Sequence, residues 1–200
     1  MFDDLAATTI TAFHDAMRAD PGWPANVPLR HPDGAWHFIE QNHRFNSLLW
    51  AEEDLARRRD VPDAAIAANK RAIDGYNQQR NDAIERIDEH ILARMAGVAP
   101  RADAWQNSET AGSIVDRLSI IALRIVSMRA QAERTEAGAE HVARCRERLA
   151  FLDAQRADLA RCLDRLLAGF AAGTAYYRIY RQMKMYNDPA LNPWLAGRKG

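Results

Sequence analysis

The stretch NSETAGSIVDRLSIIALRIVSMRAQ, Asn107 to Gln131, decides the fold class. Projected as a helix, its residues Ile114, Val115, Leu118, Ile121, Ala122, Leu123, Ile125, Val126 and Met128 cover about two-thirds of the circumference. A helix lying on a surface carries a narrower apolar stripe, so this one belongs at the centre of a bundle. Ser113, Asp116, Arg117, Arg124 and Ser127 make the main polar strip. One reading has that strip facing water, with Ser113 and Asp116 forming a Ser-x-x-Asp variant of the capping box. The sharper reading starts from the small residues SETAGS. They leave unpaired backbone N–H groups open to an anion, and Arg117 adds charge one turn on.

Outward from this stretch, apolar residues recur at spacings of three and four, and β-branched runs are scarce. The chain reads as all-α, an antiparallel bundle of about five or six helices without a sheet. Helices are expected at about 3–19, 34–59, 63–96, 109–134, 137–169 and 172–187. The segment DPGWPANVPLRHPDG, with four prolines, is a linker over about 20–33. GVAPRADAWQ breaks the chain again. YNDPALNPWL ends the last helix with Asn187 as a left-handed cap, leaving a tail over about 187–200.

Two hundred residues suit a single domain. Lysine plus arginine number 27, as do aspartate plus glutamate, so no global field draws in nucleic acid or an anionic membrane. The opening MFDDLAATTITAF is acidic and lacks the order of a signal peptide, and no apolar run approaches the ~20 residues of a membrane span. A soluble, cytoplasmic protein is expected. Cys145 and Cys162 share one helical segment, roughly 25 Å apart by helix rise, and cannot pair. Both are expected to be buried structural thiols.

Two more helices put polar groups into apolar arcs. In AWHFIEQNHRFNSLLWAEEDLARRR, the inward arc of Phe38, Phe45, Leu49 and Ala56 also holds Asn42, His43, Asn46, Glu53 and Arg57, with Asp54 at its border. His43, Trp50 and Arg57 fall one heptad apart. In KRAIDGYNQQRNDAIERIDEHIL, Asn77 and Arg80 interrupt a stripe of isoleucines, and Lys70, Asn81 and Asp88 lie along its edge. Inward polar groups either satisfy one another or face a cavity. A cavity between the helices carrying His43, Asn77 and Ser113 is therefore one expectation, and a register-setting hydrogen-bond network is the other.

RNDAIERIDEHILARM looks like the first helix of helical chorismate mutases, although the match is short and largely amphipathic code. Glu52, Glu53, Glu85 and Asp88 are similar to the acidic pairs of all-helical nucleotide pyrophosphohydrolases, which hold Mg²⁺ against phosphates, but Ala56 stands where a further carboxylate belongs. The segments HRFNSLLWAEEDLARR, KRAIDGYNQQRNDAIERID, NSETAGSIVDRLSIIALRI and YRQMKMYNDPALNP together resemble a bacterial family catalogued as domain of unknown function 4254, over roughly residues 30 to 193. The resemblance implies a helical protein whose genes often lie near glycosyltransferases and lipopolysaccharide or surface-polysaccharide assembly. It brings no catalytic residues.

Three functions remain open at this point. A phosphosugar or sugar-nucleotide binder would use His43, Asn46, Arg57, Asn77, Arg80, Asn81, Ser108, Ser113, Asp116 and Arg117, with no metal or cofactor. An accessory protein would dock on a glycosyltransferase through a helical face. A metal-dependent phosphohydrolase would need Glu53, Glu85 and Asp88 to converge.

Overall fold

Apolar residues spaced three and four apart give five helices among the described residues: α1 (Ala7–Ala19), α2 (Gly34–Leu55), α3 (Asp63–Arg94), α4 (Ala111–Ala132) and α5 (Ala139–Ala171). The structure is a computed structural model, described here for residues 1–25, 27–180 and 190–192. The fold is all-α, as the spacing predicts. The near-continuous apolar surface of α4 has the expected consequence, because α4 packs against each of the other four helices. Ile114, Leu118, Ile121 and Ile125 of α4 meet Ile39 of α2, Ile87 and Ile91 of α3, Leu163 and Leu166 of α5, and Ile10 of α1 in one buried cluster. The most extensive helix pairs are α2 with α3 and α4 with α5.

Helix α2 stops at Leu55, four residues before the expected end. Three consecutive arginines follow, and two fold back on the helix end. Arg57 Nη1 donates to the Glu53 carbonyl at 2.7 Å and Arg58 Nε to the Leu55 carbonyl at 3.4 Å. The Arg57 guanidinium thus satisfies a terminal carbonyl, and the Leu55 carbonyl, which already accepts Arg58 N at 3.2 Å, gains a second donor.

The expected helix over 172–187 is not formed in its described part. Helix α5 ends in a Schellman motif, with Gly173 at φ +68°, Gly173 N bonded to Phe170 O at 3.0 Å and Thr174 N to Gly169 O at 2.8 Å. The chain then runs as β2 (Ala175–Tyr176) beside β1 (Trp105–Gln106), a two-residue parallel pair that corrects the expectation of no sheet. Arg101 N also bonds Gly173 O at 2.8 Å, so the break between the two halves is tied to the end of α5. Residues 181–189 and 193–200, which include the Asn187 cap and most of the tail, lie outside the described residues.

The proline-rich linker is anchored rather than loose. Glu40, a fully buried carboxylate of α2, accepts Arg30 N at 2.9 Å and His31 N at 3.1 Å, and meets His31 Nδ1 at 3.0 Å. Trp23 is buried and donates its indole N–H to Ser47 Oγ at 2.9 Å. Cys145 is buried, as expected. Cys162 is exposed, because α5 turns it away from the Leu159, Leu163 and Leu166 face.

Candidate functional site

The inward polar residues of α2 and α4 do meet, as a network and not around a void. Asp116 Oδ1 accepts from Asn42 Nδ2 and Asn46 Nδ2, each at 2.9 Å. The Asn46 amide also reaches Ser119 Oγ at 3.0 Å, and that hydroxyl bonds His43 Nδ1 at 2.8 Å. Ser47 Oγ donates to the His43 carbonyl at 2.8 Å while receiving the Trp23 indole. Every one of these α2 and α4 side chains is buried. Such a network is satisfied only with α2 and α4 in one register.

His43 is stacked between His14 of α1, at 4.5 Å between ring centroids, and Trp23, at 5.4 Å. Burial, reinforced by the positive charge of Arg18, pushes the His43 pKa down to about 3, against a weak opposing pull from the His14 backbone. His14 is completely buried with neither ring nitrogen hydrogen-bonded, and burial holds its pKa well below the usual histidine value. Both rings are thus neutral. His43 stands inside the core and does not face a cavity.

A half-open cleft lies immediately outside this network. Asn46, Leu49, Trp50, Glu53, Asp54 and Arg57 of α2, Arg80 of α3, and Ile120 and Leu123 of α4 line about 440 Å³. Arg57 stands at its mouth, 3.1 Å from Glu53 and 3.7 Å from Asp54. Arg80 is less well matched. Its Nε lies 3.9 Å from Asp116 Oδ1 with no hydrogen-bond partner, and its Nη2 reaches only Asn81 Oδ1, at 3.4 Å. Asp116 Oδ1 is already engaged by the two asparagines, so the Arg80 guanidinium keeps donor capacity beside the cleft.

The start of α4 is closed by the protein's own groups. Thr110 is the N-cap, with its Oγ1 accepting from Ser113 N at 3.1 Å and meeting Ser113 Oγ at 2.9 Å. The capping residue is therefore Thr110, which corrects the Ser113–Asp116 capping box and leaves Asp116 to turn inward. Asp88 of α3 supplies the anion, accepting Gly112 N at 2.7 Å. Burial drives the Asp88 pKa up to about 6, against the pull of Thr110 and the Gly112 N–H. Donors that an external anion would need at Gly112 and Ser113 are already occupied. Arg117 is exposed and holds Glu109 through two contacts of 2.7 Å, and Ser108 is exposed in the preceding loop.

The structure therefore brings together Asn46, Arg57, Arg80 and, one layer deeper, Asp116 and His43. It does not bring Ser108, Ser113 or Arg117 to that cleft, and Asn77 and Asn81 are half-buried on α3 without lining it. Asp88 is engaged at α4, and no three His, Cys, Asp or Glu side chains are grouped to hold a metal ion among the described residues. Glu53, Glu85 and Asp88 accordingly do not form the phosphohydrolase arrangement. Sequence reasoning missed Ser119, His14 and Glu40. Two of them had a signal: His14 sits on the Ile10–His14–Met17 stripe of α1, and Ser119 lies within the apolar arc of α4.

The fold and cleft define an all-α protein with a polar pocket between helices, lying against a buried hydrogen-bond network. Its family follows from the sequence: the model of the family described as protein of unknown function DUF4254 matches residues 36–179, and the chain belongs to that family. No curated protein and no solved structure matches the chain. No helix among the described residues is long and apolar enough to cross a membrane.

Proposed function

We propose that this protein binds a phosphate-bearing sugar, such as a sugar phosphate or sugar nucleotide, in the cleft between α2 and α4. The observation that carries this reading is Arg80, a guanidinium with spare donors on the wall of a cleft of about 440 Å³. That volume falls within the several-hundred-Å³ range of small-molecule sites. A phosphate oxygen would give Arg80 the charge-assisted partner that Asp116 does not supply. Glu53 and Asp54 can accept sugar hydroxyls, Arg57 can donate to ring and hydroxyl oxygens, and the Trp50 indole offers an apolar face to the pyranose C–H groups. The polysaccharide-assembly context that the family resemblance implies fits such a ligand, as does a cytoplasmic location.

Calorimetry with glucose 1-phosphate and UDP-glucose tests this. Arg80→Met should weaken binding at least about tenfold, the scale of one charge-assisted hydrogen bond. Arg117→Met, on the exposed Glu109 pair, should leave it unchanged. Equal loss in both variants, or no binding by the native protein, would dismiss the cleft as a phosphosugar site.

A further inference from the structure

A second concavity adjoins the polar cleft. Arg124, Ser127, Met128 and Gln131 of α4, Glu147, Arg148, Phe151 and Leu152 of α5, and Trp50 of α2 line a groove of about 550 Å³ whose interior is almost wholly apolar. Trp50 borders both spaces, and the successive residues Leu123 and Arg124 of α4 line one each. The two form one trough over the C-terminal half of α4, polar at one end and apolar at the other.

The shape and charge of the groove select its occupant. Phe151 is its one exposed large apolar side chain, at 71% exposure, whereas Trp50, Met128 and Leu152 are half-buried along the slot. A protein partner needs a broad patch, on the order of 800 Å² per side, and among the described residues the other exposed large apolar side chains, such as Leu55 and Trp105, do not line this groove. An apolar lining with no broad apolar patch around it suits a hydrocarbon chain better than a protein face. Arg124 and Arg148 form no ion pair among the described residues, and with Glu147 on the same lining they leave the groove one positive charge in excess. Apolar walls with unpaired cations beside a polar cleft match an anionic amphiphile.

We propose that the trough binds one single-chain amphiphile, a hydrocarbon tail joined through phosphate to a sugar. The tail lies in the α4–α5 groove against Met128, Phe151 and Leu152, and the glycosyl phosphate head lies in the α2–α4 cleft across Trp50. The head placement rests on the phosphosugar reading above; the tail placement rests on the groove itself. The ligand class thereby narrows from soluble sugar phosphates to lipid-linked saccharides.

The test compares two probes that share a head, glucose 1-phosphate and its dodecyl phosphodiester, by calorimetry below the critical micelle concentration. Burying methylenes strengthens binding roughly tenfold for every two removed from water, so the diester should bind at least about tenfold tighter. Phe151→Asp, at a solvent-exposed position that folding does not depend on, and Met128→Glu should both cancel that gain and leave glucose 1-phosphate binding intact. Equal affinity for the two probes would keep the phosphosugar reading and overturn the amphiphile. A diester that responds to Phe151→Asp but not to Arg80→Met would support the tail site and overturn the head assignment. A gain that survives both groove variants would be nonspecific and would overturn the tail site. A dimer in sedimentation that Phe151→Asp dissociates would mark the groove as a contact between copies and overturn the proposal.

Discussion

Asp88 on α3 accepts the backbone N–H of Gly112 at 2.7 Å, and a Cβ on Gly112 would come within 3.0 Å of the Asp88 carboxyl carbon. One carboxylate thus does two things. It supplies the negative charge favoured at the start of α4, and it requires that α4 approach α3 through a residue with no side chain.

Gly112→Ala should therefore destabilise the fold. The new methyl would lie 2.6 Å from the Ile84 carbonyl oxygen, a backbone atom that cannot rotate away. A loss of about 1–3 kcal/mol is expected, the usual scale of overpacking. Gly75→Ala is the contrast. It sits within α3 with nothing within 4 Å of its would-be Cβ, and should gain roughly 0.5–1 kcal/mol from helix propensity. Urea unfolding of the two variants should move the midpoint in opposite directions; equal shifts would contradict the close approach.

The buried histidines set the acid limit of stability. With its folded pKa lowered to about 3, His43 refuses a proton that the unfolded chain accepts below about pH 6.5. His14 acts in the same sense. The His43 contribution is fully present above about pH 6.5 and is lost as the pH falls toward 3. Asp88, raised to about 6, works the other way and gains stability as it protonates between about pH 6 and 4. Two histidines against one aspartate predict a net fall in urea midpoint from pH 7.5 to pH 5. His43→Phe should flatten that fall, and Asp88→Asn should steepen it. A midpoint independent of pH would show that the rings are not held neutral.

Asp116 and Arg117 are neighbours in sequence with opposite expected costs. Asp116→Leu orphans the buried Asn42 amide, at about 1–3 kcal/mol, while Asn46 loses one acceptor and keeps Ser119 Oγ. Arg117→Met removes only the exposed pair with Glu109, worth about 0–1 kcal/mol. Thermal melting without ligand separates them, and a larger loss for Arg117→Met would show the inward network to be unimportant.

Glu40→Ala should release the linker. Two backbone N–H groups, of Arg30 and His31, lose a buried acceptor. Limited proteolysis is expected to cut the 20–33 segment of this variant faster than that of the native protein, with α4 still protected from amide exchange. Unchanged cleavage would show that Trp23 and Ser47 hold the segment without Glu40.

The helices were legible because burial imposes a period on the sequence, and α4, with its wide apolar face, was legible as the centre. Asn46 and Arg80 could be read as candidate cleft residues because each is polar in an apolar arc. Spacing alone cannot separate a group sealed among its neighbours from one that also reaches a cleft wall, so His43 and Asn46 look alike in sequence although only Asn46 lines the cleft. The α4 start misled for a related reason. The anion that fills it, Asp88, comes from a helix 24 positions away. Gly173 is a helix-end signal that the expected helix over 172–187 overran, and the pairing of the following residues with the 101–107 segment depends on tertiary approach.

Helix α1 lies wholly before residue 36, where the family match begins. Even so, Ile10, His14 and Met17 are fully buried, and His14 covers one face of His43. The span that defines kinship is thus shorter than the span that folds. A fragment cut to residues 36–179 would lose a wall of its interior and open the neutral imidazole of His43 to water, so its titration would report the missing helix.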